Sequence, residues 1–153
     1  MTIDRFNKLT GRDTLHPLIC TVDLPHACPE AAVGMKCDFY GLLYCDSPQC
    51  GSECLRLIRP GEAVGPLVSP DCLHGVLFHP DLLCGTSLET DIGTYPKRCR
   101  CRGPLSERER HIIADSLREI GRELHHAIDC HSAPIIVSHI ELLLNYCVRF
   151  CNQ

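Results

Sequence analysis

The chain has 153 residues, 44% of them hydrophobic, which predicts one domain with a core of ordinary size. Its net charge of -4 and its pI near 6.1 give no basic excess to neutralise a phosphate backbone, so direct nucleic-acid binding is disfavoured. The N-terminal segment lacks the apolar stretch of a secretion signal, and no apolar run reaches the ~20 residues that span a bilayer. We therefore expect a cytoplasmic protein without a membrane anchor.

Cysteine is unusually abundant, with 13 residues. The odd count, the missing export signal and the length of the chain argue against a secreted disulfide scaffold and favour reduced thiols. Each thiol is then either a small core residue or a ligand for a soft metal. We expect Cys20, Cys37, Cys45, Cys72 and Cys84, which lie in or beside apolar segments, to be buried core residues.

The first part of the chain consists of short apolar segments separated by turn residues. This pattern is typical of strands and predicts an all-β region that forms a small barrel or sandwich. Arg59 to Glu62 read as a turn, with proline and glycine at their usual positions. The predicted strands are Leu18–Leu24, Phe39–Tyr44, Cys54–Ile58, Ala63–Val68 and Leu73–Phe78.

The second part of the chain has helical periodicity. Ser106 with Glu109 three residues later forms a capping-box pattern, and apolar residues then recur at helical spacing as far as Ile128. This predicts an amphipathic helix of about 24 residues. A break at 129–133 follows, and Pro134 fits the first turn of a second helix that is apolar around most of its girth up to Phe150. The predicted class is α+β, with a C-terminal antiparallel helical hairpin.

The apolar second helix predicts a partner surface, because a small β domain covers only one face of it. A second copy of the chain supplies an identical stripe for a twofold contact, so we expect a homodimer. The residues expected at this interface are Ile136, Ile140, Leu143, Leu144, Cys147, Phe150 and Cys151.

Segments spread over nearly the whole chain carry a family resemblance. Thr14–Leu18, Val76–Leu88, Leu105–Glu109 and Ile135–Phe150 resemble the N-terminal sensor region of AraC-type transcriptional regulators. The resemblance implies a cupin-like β sensor domain over 1–104 and dimerising helices over 105–153, packed as one domain. It implies a non-enzymatic domain that senses a small ligand, without the DNA-binding helix-turn-helix half that follows in such regulators.

The histidine pattern does not match a cupin metal site, which needs two histidines one residue apart and a downstream glutamate. His74 and His79 are five residues apart, and His79 lies in a turn. We expect His79 to be a structural residue that caps or packs this turn. No nucleophile elbow, Walker loop or dinucleotide fingerprint is present, so the sequence predicts no enzyme of those classes.

Thiol pairs provide the alternative function, a soft metal or metalloid binding protein on the same scaffold. Cys99 and Cys101 are two residues apart, and Cys50 and Cys54 are four apart, spacings that let two thiolates reach one ion. Zinc or another thiophilic ion is the cofactor that this alternative implies. Cys147 and Cys151 fit dimer packing, or a four-sulfur site with the partner. Thiol-dependent catalysis by Cys99 and Cys101 is a third alternative. The candidate metal ligands are Cys99, Cys101, Cys50, Cys54, Cys130 and His131.

Overall fold

A computed structural model of the chain describes residues 1–24, 34–45, 55–63, 73–96, 98–99 and 105–151. Its helices and strands, in chain order, are α1 (Ile3–Leu9), β1 (Ile19–Leu24), β2 (Tyr40–Cys45), β3 (Leu55–Ile58), β4 (Leu73–Phe78), α2 (Leu88–Asp91), β5 (Arg98–Cys99), α3 (Glu107–Leu124) and α4 (Ser132–Cys151). Two short 3-10 helices, Pro80–Leu83 and Ile92–Thr94, flank α2.

The described strands form one antiparallel sheet in the order β1-β4-β2-β3-β5. The expected α+β class, with helices at the C-terminus, is confirmed. Four predicted strands lie within one residue of β1, β2, β3 and β4. Of the fifth predicted strand, Ala63 forms an isolated bridge to Lys36, and 64–68 lie outside the described residues. Gly75 lets β4 approach β2 closely, because a Cβ there would lie 2.2 Å from the Leu42 carbonyl oxygen.

One face of the sheet carries the main core, in which α3 and α4 pack on the strands. Alternate residues of each strand point to this face, among them Ile19, Val76 and Phe78. They share one buried cluster with Ile120 of α3 and Ile140 of α4. Because one cluster joins the sheet to both helices, the residues before and after position 105 share a core.

The other face of the sheet is covered by α1, a helix that the sequence analysis did not predict. Thr2 caps it, since its side chain accepts a hydrogen bond of 3.1 Å from the Arg5 N–H. Ile3 and Phe6 then pack in a second buried cluster that includes Phe39. At seven residues, α1 is too short to show a clear helical period in the sequence.

The capping box at the start of α3 is confirmed: the Ser106 hydroxyl accepts from the Glu109 N–H, and the Glu109 carboxylate accepts from the Ser106 N–H. The helix ends at Leu124, so it has 18 residues and is shorter than predicted. Ile128 lies beyond it and is 63% exposed, which corrects its assignment to the apolar stripe. The chain turns because Asp129 accepts hydrogen bonds from the backbone of His131 and the side chain of Ser132.

Most apolar side chains of α4 pack against other parts of the same chain. Six of the seven residues expected at a dimer interface are buried against the sheet and α3: Ile136, Ile140, Leu143, Leu144, Cys147 and Phe150. The side chain of Cys151 lies outside the described part. Sheet and α3 together cover more of the girth of α4 than the sequence analysis allowed. The homodimer itself stays a prediction, and these side chains are occupied in the monomer.

Helix α4 also has the length and composition of a membrane span, with a mean hydropathy of 1.2 over its most apolar window. The sequence analysis expected no segment of this length. Core helices of soluble proteins pass the same test, and most of the large apolar side chains of α4 pack on its own chain. Length and composition are therefore weak evidence that α4 crosses a membrane.

Two predicted turns are confirmed. In the first, the Glu62 N–H donates to the Arg59 carbonyl at 3.0 Å, and Gly61 takes a positive φ of 87° that favours glycine. In the second, His79 caps the 3-10 helix Pro80–Leu83, since its Nδ1 accepts from the Asp81 N–H at 3.2 Å.

Candidate ligand-binding cleft

A cleft of about 720 Å³ lies between α3 and the open end of the sheet. This volume is within the range of small-molecule sites, about 300–1,000 Å³. The lining combines charged, polar and apolar side chains, so it offers a ligand both polar and apolar contacts. The residues that line it are Arg12, Thr21, Val22, Asp23, Tyr44, His74, Glu107, Arg110, His111, Ile113, Ala114, Leu117, Arg118, Gly121, Arg122 and His125.

The floor of the cleft is the polar end of a sheet face that is otherwise apolar. Ile19 of β1 belongs to the main core, whereas Thr21 and Asp23, two and four residues later on the same face, line the cleft. Opposite Asp23 in the register lies His74, whose Nδ1 is 3.0 Å from the Asp23 Oδ1. The ring of Tyr44 stacks on His74 with centroids 6.4 Å apart. The floor therefore presents a hydroxyl, a carboxylate, an imidazole and a phenol on three neighbouring strands, β1, β4 and β2.

One wall of the cleft is a stripe along α3. Glu107, Arg110, Ala114, Arg118 and Gly121 follow one another at intervals of three and four residues, the spacing of one helical face. This stripe lies beside the core-facing stripe of the same helix. Gly121 keeps the wall open, because a Cβ built there has no atom within 4 Å.

Arginines outnumber carboxylates in the lining, four against two, and three histidines also line it. Arg118 and Arg122 form ion pairs of 2.9 and 2.8 Å with Asp115 and Glu119, acids of α3 that do not line the cleft. Arg12 lies at the edge of β1, where its guanidinium donates to the Thr21 carbonyl at 3.1 Å. Within the described residues, Arg12 forms no ion pair with a carboxylate.

The candidate metal ligands are not brought together in the part of the chain that the structure describes. Cys130 and His131 lie in the exposed turn between α3 and α4, and no group of three or more possible ligands occurs among the described residues. Cys99 pairs with Leu55 in the sheet, but its side chain is outside the described part. Cys50, Cys54 and Cys101 also fall outside the described residues.

The core cysteines are mostly placed as expected. Cys20 and Cys37 are buried, and burial raises the pKa of the Cys20 thiol to about 12, so it stays protonated at neutral pH. Cys84 is exposed, which corrects its assignment to the core. It follows the 3-10 helix Pro80–Leu83, where the chain turns outwards. The Cys45 side chain and Cys72 lie outside the described residues.

The cleft residues were not predicted from the sequence. The apolar spacing of α3 puts Arg118 and Arg122 away from the core, where both are exposed and line the cleft. Asp23 and His74 interrupt two apolar strands at positions on the core-facing side of the sheet, with 69% of the Asp23 side chain and 33% of the His74 side chain exposed. Their meeting across β1 and β4 required the register, which the sequence does not state.

No family model matches the chain, and no curated protein matches it at a significant level of similarity.

Proposed function

We propose that the chain is a non-enzymatic ligand-sensing domain that binds a small molecule in the cleft between α3 and the sheet. The observation that carries the proposal is the cleft itself, with its volume of about 720 Å³ and its mixed polar and apolar lining. The resemblance of four segments to the sensor region of AraC-type regulators supports the same function. It also supports a cupin-like class for the β region.

Binding rather than catalysis is favoured by the chemistry of the lining. Nucleophilic catalysis needs an activated hydroxyl or thiol beside an oriented base. Among the described cleft residues the only aliphatic hydroxyl is that of Thr21, and within the described part of the chain no hydrogen bond joins it to a histidine. The arginines and the phenol of Tyr44 are well suited to hydrogen-bond a ligand.

Homodimerisation is part of the proposal, through the exposed face of α4. Ile135, Ser138, Leu142, Asn145 and Arg149 are exposed and recur at intervals of three and four residues. Ile135 and Leu142 are the large apolar side chains of this stripe. Sedimentation equilibrium of the intact chain, with Leu142→Glu as the variant, tests this part: a dimer that the variant dissociates supports it, and a monomer at high concentration contradicts it.

The binding proposal is tested by filling the cleft at Gly121. Because a Cβ at this position meets open space, Gly121→Ala should keep both fold and cleft, whereas Gly121→Phe places a ring in the cleft. Four probes of similar shape are titrated and followed by amide chemical shifts: 2-naphthoate, 2-naphthyl phosphate, 2-naphthamide and 2-naphthylmethylamine.

We expect at least one probe to shift the amides of Thr21 and His74 saturably in the wild type and in Gly121→Ala. Gly121→Phe should abolish these shifts while its circular dichroism stays that of the folded chain. Binding that is unchanged in Gly121→Phe, or no saturable shift from any probe, would refute the proposed cleft function.

A soft-ion binding protein remains the second candidate, on the observation that 13 residues are cysteine. Cys50, Cys54, Cys99 and Cys101 are the proposed ligands, with zinc or another thiophilic ion as the cargo. Elemental analysis of protein purified under reducing conditions tests it: a stoichiometric thiophilic ion supports it, and metal-free folded protein refutes it.

A further inference from the structure

We infer that the cleft selects a small organic anion whose carboxylate or phosphate group is held by arginine side chains. The inference rests on the proposed binding function and adds the class of ligand. Its basis is the contrast between the chain, with a net charge of -4, and the cleft lining, in which four arginines face two carboxylates.

One of the two lining carboxylates is already engaged. The Asp23 Oδ1 lies 3.0 Å from the His74 Nδ1 across the β1–β4 register. Glu107 is in the first turn of α3, where an acidic side chain stabilises the helix end and is exposed to water. The four guanidinium groups of the lining still outnumber its two carboxylates.

The arginines keep donors for a ligand even where they form ion pairs. Arg118 and Arg122 each use one terminal nitrogen on an exposed carboxylate of the same helix, and a guanidinium has five N–H donors. Exposed pairs of this kind hold the side chain only weakly. Arg12 reaches the cleft from the segment after α1, so guanidinium groups come from the side of β1 as well as from α3.

The apolar part of the lining indicates that the anion also has an apolar group. Ile113, Ala114 and Leu117 line the cleft from α3, next to the open space at Gly121. An aromatic or short aliphatic group fits this region, while the oxyanion meets the guanidinium forks. Carboxylates and phosphates share this recognition, because the fork of arginine matches both geometries.

The test compares the four naphthyl probes on the intact chain by isothermal titration. We expect 2-naphthoate or 2-naphthyl phosphate to bind at least tenfold more tightly than neutral 2-naphthamide and cationic 2-naphthylmethylamine. Charge-assisted hydrogen bonds to an anion support a difference of about this size. The stronger of the two anionic probes identifies the carboxylate or the phosphate as the favoured group.

Two variants locate the effect. Arg110→Gln and Arg118→Gln should each weaken binding of the anionic probe by about tenfold or more. Arg108→Gln is the matched control: it removes the same charge from the same helix, but Arg108 does not line the cleft, so binding should change less than about twofold through long-range screening alone. Raising the ionic strength should weaken binding of the anionic probes to the wild-type protein severalfold and leave the affinity for 2-naphthamide unchanged.

The two proposals fail in different ways. If 2-naphthamide and the anionic probes bind in the cleft with equal affinity, and if salt does not change that affinity, the anion selectivity is wrong. The binding function would then still stand. Equal loss in Arg108→Gln and Arg110→Gln would overturn the local arginine contact. If none of the four probes shifts a cleft amide, both the selectivity and the binding function are wrong.

Discussion

Replacing Ile140 with alanine should destabilise the folded chain by about 3 to 4 kcal/mol. The side chain is 0% exposed and packs in the core shared by the sheet, α3 and α4. Alanine lacks three of its carbons, so the lost transfer free energy is about 2.4 kcal/mol at ~0.8 kcal/mol per buried methylene, and the remaining cavity adds about 1 kcal/mol. For a chain of this length the melting temperature should fall by roughly 6–16 °C.

The control is Leu142→Ala, two residues away on the same helix. Leu142 is 48% exposed, so alanine removes about half of the same transfer term, roughly 1 kcal/mol, and leaves no closed cavity. Both variants and the wild type are unfolded thermally and with urea at two protein concentrations tenfold apart. A core position predicts that the Ile140→Ala deficit is the same at both concentrations, whereas the deficit of Leu142→Ala, on the face proposed for dimerisation, should depend on concentration.

The outcome separates a core role from an interface role. An interface residue changes stability through the association equilibrium, so its effect depends on protein concentration. If Ile140→Ala costs less than about 1 kcal/mol, or if its deficit varies strongly with concentration while that of Leu142→Ala does not, α4 does not pack inside the monomer as described.

Three further predictions concern single positions. Gly75→Ala should prevent stable folding or lower the free energy of unfolding by more than about 3 kcal/mol, because its Cβ would lie 2.2 Å from the backbone of β2. A wild-type midpoint in urea unfolding would refute this close approach. Ser106→Ala should lower the free energy of unfolding by about 1 kcal/mol through loss of the capping box, and an unchanged midpoint would contradict that role. Iodoacetamide at pH 8 should modify the exposed Cys84 and Cys130 but not Cys20, whose pKa is raised to about 12 by burial, so rapid labelling of Cys20 in peptide mass analysis would argue against its burial.

The sequence predicts strands and helices well where one local signal is strong. Leu73–Phe78 is bounded by turn residues and matches β4 in full, and the Ser106–Glu109 box fixes the start of α3. The end of α3 was less predictable, because Ile128 continues the apolar period although the helix stops at Leu124. Periodicity shows which residues would face the core if the helix continued, and the hydrogen bonds of the following turn decide where it stops.

For α4, the sequence predicts the need for covering surfaces but not which surfaces cover the helix. A helix that is apolar around most of its girth needs several covering surfaces, and this much follows from the sequence. Which surfaces cover it depends on how α3 and the sheet are placed, and these placements bring together residues far apart in the chain. Leu42, Val76 and Ile140 belong to one cluster, so the cover that was assigned to a second copy is largely supplied by the chain itself.

The cleft was unpredictable for a related reason. On α3 a polar stripe beside an apolar stripe is the ordinary pattern of a helix that lies on a core with its far side in water. Here the polar stripe faces a gap, because Thr21, Asp23 and His74 end the apolar face of β1 and β4 before α3 has crossed it. Exposed arginines of this stripe, such as Arg118 and Arg122, thus form one wall of an open cleft. Helix α3 connects the core and the cleft, because Ile113 packs in the core and also lines the cleft, so a ligand in the proposed site would contact a residue of the core.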